Sequence, residues 1–164
     1  MAFNVGDTVV YPAQGAGKIE ELTKRTILGK EQEYLKLTFI RGDMDVLVPL
    51  DKCEEVGLRH TIVVEQLEQV FTTLVKTDLD LPNQWPPRHR MEIDILGRAE
   101  TFELASLIGA LSKRDVERGL ADTERDIMEK AKDMLASEVA IVQGMSSLTS
   151  AKKDINDRLK AILD

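Results

Sequence analysis

The segment from Leu81 to Arg90, LPNQWPPRHR, concentrates the residue types of this chain that could do chemistry. It holds the only tryptophan, Trp85, followed by Pro86 and Pro87 and then by Arg88 and Arg90. Proline fixes φ and suits the first turn of a helix, so the two prolines read as a helix start running into Arg88 to Leu96. A residue before proline is pushed toward extended geometry, which would hold Gln84 to Pro86 out of that helix and present the indole from a stiff stalk. Arg88 and Arg90 then fall in the first turn, where the macrodipole disfavours cations by about 0.3–1 kcal/mol each. An anion across the helix N-terminus reverses that sign, because free backbone N–H groups and both guanidinium groups would point at it. The chemistry is anion binding, and a phosphate backbone is the obvious candidate. The plainer alternative is that a lone tryptophan fills a core or a seam between domains, while the arginines form a solvated face paired with Glu92 and Asp94. The segment alone leaves both open.

Other chemistry is not spelled out. Gly15-Ala-Gly-Lys18 invites comparison with a phosphate-binding loop, but Ile19 stands where a Ser or Thr must ligand magnesium, and the stretch leads into a strand rather than a helix. His60 and His89 lie far apart, and one cysteine offers no metal spacing, so neither a metal nor another cofactor is expected. No motif combines a nucleophile, a base and an orienting group, and an enzyme is not expected.

The surrounding composition bounds the partners. The 164 residues suffice for one domain or two small ones. A net charge of −7 argues against a free-standing DNA binder of high affinity, so any nucleic-acid contact must be local or delivered by a partner. The single Cys53 forms no internal disulfide and fits a reducing cytoplasm. No apolar run approaches a membrane span and the opening residues lack the regions of a signal peptide, so a cytoplasmic protein is expected.

The elements that must position Trp85 divide near residue 60. Thr8 to Tyr11 is a β-branched run stopped by Pro12, with Gly15 to Gly17 as a turn and Lys18 to Ile27 as a second strand. Leu28-Gly29-Lys30 signals a hairpin; Leu35, Leu37 and Phe39 alternate on one face, Arg41-Gly42-Asp43 makes the next turn, and Met44, Val46 and Val48 alternate up to Pro49. Val56 to Arg59 is a short extended exit. Four or five such strands suggest a small barrel with edges to be covered or used. From Ile62 the period becomes helical, with Val63, Leu67, Val70, Phe71 and Leu74 in one stripe until Asp78 to Pro82 breaks it. Thr101 can cap a helix with Leu104, Leu107, Ile108 and Leu111 on its apolar face, ending at Gly119, where Lys113, Arg114 and Arg118 suit the dipole. Asp122 or Thr123 opens a long helix striped by Met128, Ala131, Leu135, Val139 and Val142; Gly144 to Ser147 links it to a last helix striped by Ala151, Ile155, Leu159 and Ile162.

Taken in order, Phe3-x-x-Gly6-Asp7-x-Val9-Val10-Tyr11-Pro12-x-x-Gly15, Glu33-Tyr34-Leu35, Val48-Pro49, Val56-Gly57-Leu58-Arg59, Trp85-x-x-Arg88-x-Arg90 and Arg114-Asp-x-Glu-Arg-Gly-Leu120 make the chain resemble the CarD (CdnL) family of bacterial transcription regulators, from its first residues to about Val142. It lacks a basic, AT-hook-like tail, so the resemblance is to the short form.

That resemblance implies an α+β fold: a Tudor-like small β-barrel over residues 1–60, similar to the polymerase-interacting domain of the transcription-repair coupling factor, then an all-α domain over 61–164. It implies that the barrel binds the RNA polymerase β subunit partly by pairing strand edges, through Arg25, Thr26 and Ile27, with Leu47 standing where some relatives carry a helpful arginine. It implies that Trp85 is a minor-groove wedge at the upstream edge of the promoter bubble, with Arg88, Arg90, Arg114 and Arg125 as its basic companions, and that the contact is not sequence-specific. Tethering to polymerase then removes the objection from net acidity. The chain is expected to act as a monomer, with strand exchange between barrels as the alternative. The rival function is a polymerase- or repair-factor-binding adaptor that keeps Trp85 in the interdomain seam and never touches DNA.

Overall fold

A computed structural model describes residues 2–42 and 44–163. An antiparallel sheet comes first: β1 (Thr8–Tyr11), β2 (Gly15–Ile27), β3 (Lys30–Phe39), β4 (Asp45–Pro49) and β5 (Arg59–His60), in the order β4-β3-β2-β1-β5. Five helices follow: α1 (Leu67–Lys76), α2 (Trp85–Arg98), α3 (Thr101–Arg118), α4 (Asp122–Val142) and α5 (Thr149–Leu163). The expected division into a small β unit and a helical remainder is what the chain adopts.

The first turn falls earlier than Gly15 to Gly17. Tyr11 accepts from Gln14 N across Pro12 and Ala13, and Ala13 takes a φ of 81°. Proline pre-sets the turn, so the glycines are free to pair as the start of β2. Leu28 and Gly29, both at positive φ, close the β2–β3 hairpin between Ile27 and Lys30, as the dipeptide indicates. The expected turn at Arg41-Gly42-Asp43 includes Asp43, which lies outside the described residues. Val46 and Val48 turn inward, whereas Met44 precedes the strand and is exposed. Of the expected exit only Arg59 is extended, forming β5 with His60, because Val56 and Gly57 form a turn.

The helices differ from their sequence outlines at their ends. Val63 stays extended and exposed, a single 3-10 turn occupies Val64–Gln66, and α1 starts only at Leu67. Glu100, not Thr101, caps α3, its carboxylate accepting from Glu103 N. Thr101 is the first helical residue, and its hydroxyl is drawn inward to Glu138. Ala151, Ile155 and Leu159 of α5 are buried, but Ile162 is exposed beyond the end of the packed stripe.

Two cores result. Val9, Ile19, Leu35, Leu37, Phe39 and Val48 pack with Cys53 and Leu58 inside the sheet unit. The larger cluster joins the helices, and Val10 and Ala16 of the sheet belong to it. α4 is the hub: it packs on α2, α3 and α5 and also on β2 and β1. At that seam Ser137 Oγ accepts from Ala16 N at 2.9 Å and donates to Met134 O at 2.7 Å. A Cβ at Gly15 would stand 2.7 Å from the same oxygen, and Gly15 also has a φ of 90°, so the approach of α4 to β2 needs glycine there.

Candidate functional site

α1 ends at Thr77, whose φ of 54° turns the chain into the 77–84 connection. Only Gln84 is extended; Trp85 and Pro86 are already helical, so the stalk expected from Gln84 to Pro86 is a single residue long. Prolines in the first turn forfeit no intrahelical hydrogen bond, which lets Trp85 serve as the first residue of α2. The helix runs to Arg98, past Leu96, and stops at Ala99 in the left-handed region. No acidic residue lies in its first turn and no side chain caps it.

Trp85 is 38% exposed. One turn on, the His89 ring stacks against it with centroids 4.7 Å apart and planes inclined by 28°, and the Arg88 guanidinium carbon lies 5.3 Å from the indole centroid. That distance is within the range of a cation–π contact.

Arg88 points inward, not toward solvent as its place in the first turn suggests. Its side chain is buried. Nε donates to Glu124 at 2.9 Å and Nη2 to the same carboxylate at 3.3 Å, while Nη1 donates to the carbonyls of Pro82 at 3.2 Å and Asn83 at 2.6 Å. A second carboxylate, Glu92, sits 3.7 Å from Nε and is completely buried. Neither oxygen of Glu92 has a donor among the described residues, and the same is true of Nδ1 of His89 and, in the sense of a missing acceptor, of Nε of Arg114. Burial, together with a hydrogen bond to Glu124 and its charge, pushes the Glu92 carboxyl up to about 8, against the pull of Arg88 and Arg114. That shift favours the neutral form of Glu92, the form in which two buried carboxyl groups can lie side by side. For Glu124, burial is outweighed by the bonds from Arg88 and Glu92, and its pKa falls below the ordinary value.

The other predicted cations do not converge on the indole. Arg90 is exposed, borders a hollow with Leu79, Pro87, Met91 and Asp94, and has no ion-pair partner among the described residues. Arg114 is half-buried and faces the Glu92 and Glu124 charges. It also lines a cleft of about 230 Å³ with Lys113 and Arg118, where Asp78, Asp80 and Glu117 balance the charge. Arg125 donates both arms to Asp115 at 3.0 and 3.1 Å. Sequence periodicity could flag the Trp85–His89 and Arg88–Glu92 pairs, both at i,i+4. Nothing local flags Glu124, which lies two helices further on.

The second candidate region is the far end of the sheet. β1 covers only Gly15 to Lys18 of β2, so among the described residues the backbone edge of β2 toward Ile27 has β3 on one side and no strand on the other. Arg25, Thr26 and Ile27 are exposed there. Leu47 is 41% exposed on β4, the outermost strand. The register aligns Glu21, Lys36 and Leu47 across three strands, and Arg25 and Ile27 share that face by alternation. Among the described residues no helix is long and apolar enough to cross a membrane.

Comparison with known proteins bears on both regions. Residues 3–62 match the family described as the CarD-like/TRCF RID domain, and residues 69–156 match the CarD C-terminal domain. YdeB of Bacillus subtilis (strain 168), provisionally named a transcription factor, is 25% identical over 144 residues, which cover 88% of this chain and 94% of that protein.

Proposed function

This chain belongs to the CarD family, and from that premise we propose that it holds the RNA polymerase β subunit with the open edge of its sheet unit and stabilises the open promoter complex by setting Trp85 into the minor groove at the upstream edge of the bubble. Transcription regulation and polymerase binding come with the family and its polymerase-interaction module. The family is one of regulators, not a class of enzymes. The β subunit as the docking site, a division of labour near residue 60, DNA contact and a cytoplasmic monomer are parts of the proposal.

One observation carries the DNA contact: the only tryptophan stands exposed on the first turn of α2 instead of being spent on either core. An indole held by a stacked imidazole is a rigid apolar wedge of the kind that enters unstacked base steps. Arg90, exposed and without an ion-pair partner among the described residues, is the side chain of this turn best placed to meet a phosphate. Arg125 could reach one only by leaving Asp115. Polymerase binding would raise the local DNA concentration, so a single exposed arginine beside the indole of an acidic protein suffices. A protein that binds the open complex more tightly than the closed one shifts their equilibrium by that difference.

The test is the lifetime of a competitor-challenged open complex at saturating occupancy. Wild type is expected to prolong it, and Trp85→Ala to bind polymerase equally but lose about tenfold in lifetime, equivalent to about 1.4 kcal/mol. An unchanged lifetime with Trp85→Ala would sink the wedge. It would favour an adaptor that never touches DNA, although Trp85 packs on His89 and Arg88 of its own helix and not in the seam between the two units.

A further inference from the structure

We infer that Arg88 is a positioning residue for Trp85, clamped from below by Glu124, and that it does not bind phosphate. Four of the five guanidinium hydrogen-bonding directions are accounted for inward, two to Glu124 and two to the carbonyls of Pro82 and Asn83. Those carbonyls belong to the end of the connection that delivers Trp85. The same guanidinium flanks the indole, while His89 stacks on it. Arg88 therefore ties the loop before the ring, the ring itself and α4 into one unit. Pro86 and Pro87 stiffen the backbone of this turn, but they do not hold the indole or anchor the turn to the rest of the helical domain. The Arg88–Glu124 pair supplies that anchor.

Turning Arg88 outward to meet a phosphate would break this arrangement at every point. It would leave Glu124, itself buried, without its cation beside the buried Glu92, and it would free both loop carbonyls. A buried charge stripped of its partner costs more than an exposed phosphate contact returns. The basic residue best matched to phosphate by its position in the sequence is thus committed to the interior, and phosphate is left to Arg90.

The inference rests on the reading of Trp85 as the DNA-contacting ring, and Glu124→Gln separates the possibilities by sign. The neutral amide that this substitution installs cannot hold a guanidinium as a carboxylate does. If Arg88 positions Trp85, Glu124→Gln and Arg88→Gln should both lower the fluorescence anisotropy of the sole tryptophan in the free protein. Both should also shorten the open-complex lifetime by about tenfold. The slope of log affinity against log salt should be the same for Arg88→Gln as for wild type. If Arg88 is a phosphate ligand instead, Glu124→Gln releases it and lengthens the lifetime, and Arg88→Gln reduces the salt slope by about one. Either result overturns the inference. Trp85→Ala, run alongside, reports on the wedge itself: a neutral Trp85→Ala removes that reading, while the anisotropy still decides whether Arg88 positions the ring. Should the variants fail to fold, the wild-type Arg88 Nε–H resonance decides. Protection from solvent exchange supports the clamp, and exchange at the rate of a free guanidinium refutes it.

Discussion

Glu124 and Glu138 lie on the same helix, each buried and each gripped by an arginine through two nitrogens, yet they are built differently. Glu138 accepts from Nη1 and Nη2 of Arg59 at 2.9 Å, from Ile62 N at 2.9 Å and from the Thr101 hydroxyl at 2.8 Å. Arg59 spends its remaining donors on the carbonyls of Ala99 and His60. One carboxylate therefore closes the exit from the sheet, the α2–α3 junction and α4 together, with its oxygens fully used. The node at Glu124 has a second buried carboxylate in Glu92, only one well-bonded arginine and an Nε on Arg114 that lacks an acceptor among the described residues. A satisfied buried network rigidifies, and a partly satisfied one costs stability. The satisfied node fixes the seam between the two units; the overloaded one lies beneath the residue proposed to meet DNA. Departures from good packing concentrate where function places demands.

The largest effect is expected from breaking the satisfied node. Glu138→Ala leaves Arg59, Ile62 N and Thr101 without their acceptor and should cost about 3–5 kcal/mol in urea unfolding. A loss below about 1 kcal/mol would show that solvent replaces these bonds and that the contrast between the nodes is overstated.

Relieving the overloaded node should act in the opposite direction and depend on pH. Glu92 faces Arg88 on its own helix, Arg114 from α3 and Glu124 from α4. Its folded-state pKa of about 8 lies above the ordinary 4.5, so across that window the folded state retains a proton that the unfolded chain releases. The contribution is present in full below the lower value and is lost as pH rises toward the upper one. Glu92→Gln, neutral throughout, should flatten this dependence and raise stability at pH 8 relative to wild type, with little change at pH 4.5. Parallel stability–pH curves for the two proteins would show that Glu92 ionises normally.

The smallest effect belongs to a pair of the same geometry at the surface. Arg125 and Asp115 form two good hydrogen bonds, but their side chains are 48% and 30% exposed. Arg125→Ala should change thermal stability by less than about 1 kcal/mol. A larger loss would mean that geometry, not burial, sets the worth of these arginine–carboxylate pairs.

Local pattern carried much of the architecture. The Leu28-Gly29 hairpin, the inward Leu35, Leu37 and Phe39, and the stripes of α3 and α4 could be read because period and turn chemistry act over a few residues. Element ends were less legible. Glu100 capped α3 in place of Thr101 because Glu138, on another helix, claimed the threonine hydroxyl. At the candidate site, Trp85 and the proline-led start of α2 were visible, and so was the exposed Arg90. The fate of Arg88 was not, since a basic residue in the first turn of a helix looks alike whether it faces solvent or a carboxylate from α4.

By itself, then, the chain's sequence determined the division into sheet and helices, the family, and the indole at the head of a helix, all of which follow from local propensity and ordered motifs. Only the tertiary structure decided which cations remain outside. Burial and pairing of a charge depend on partners remote in sequence, and the cost of leaving a buried charge unpaired makes that choice once the helices pack.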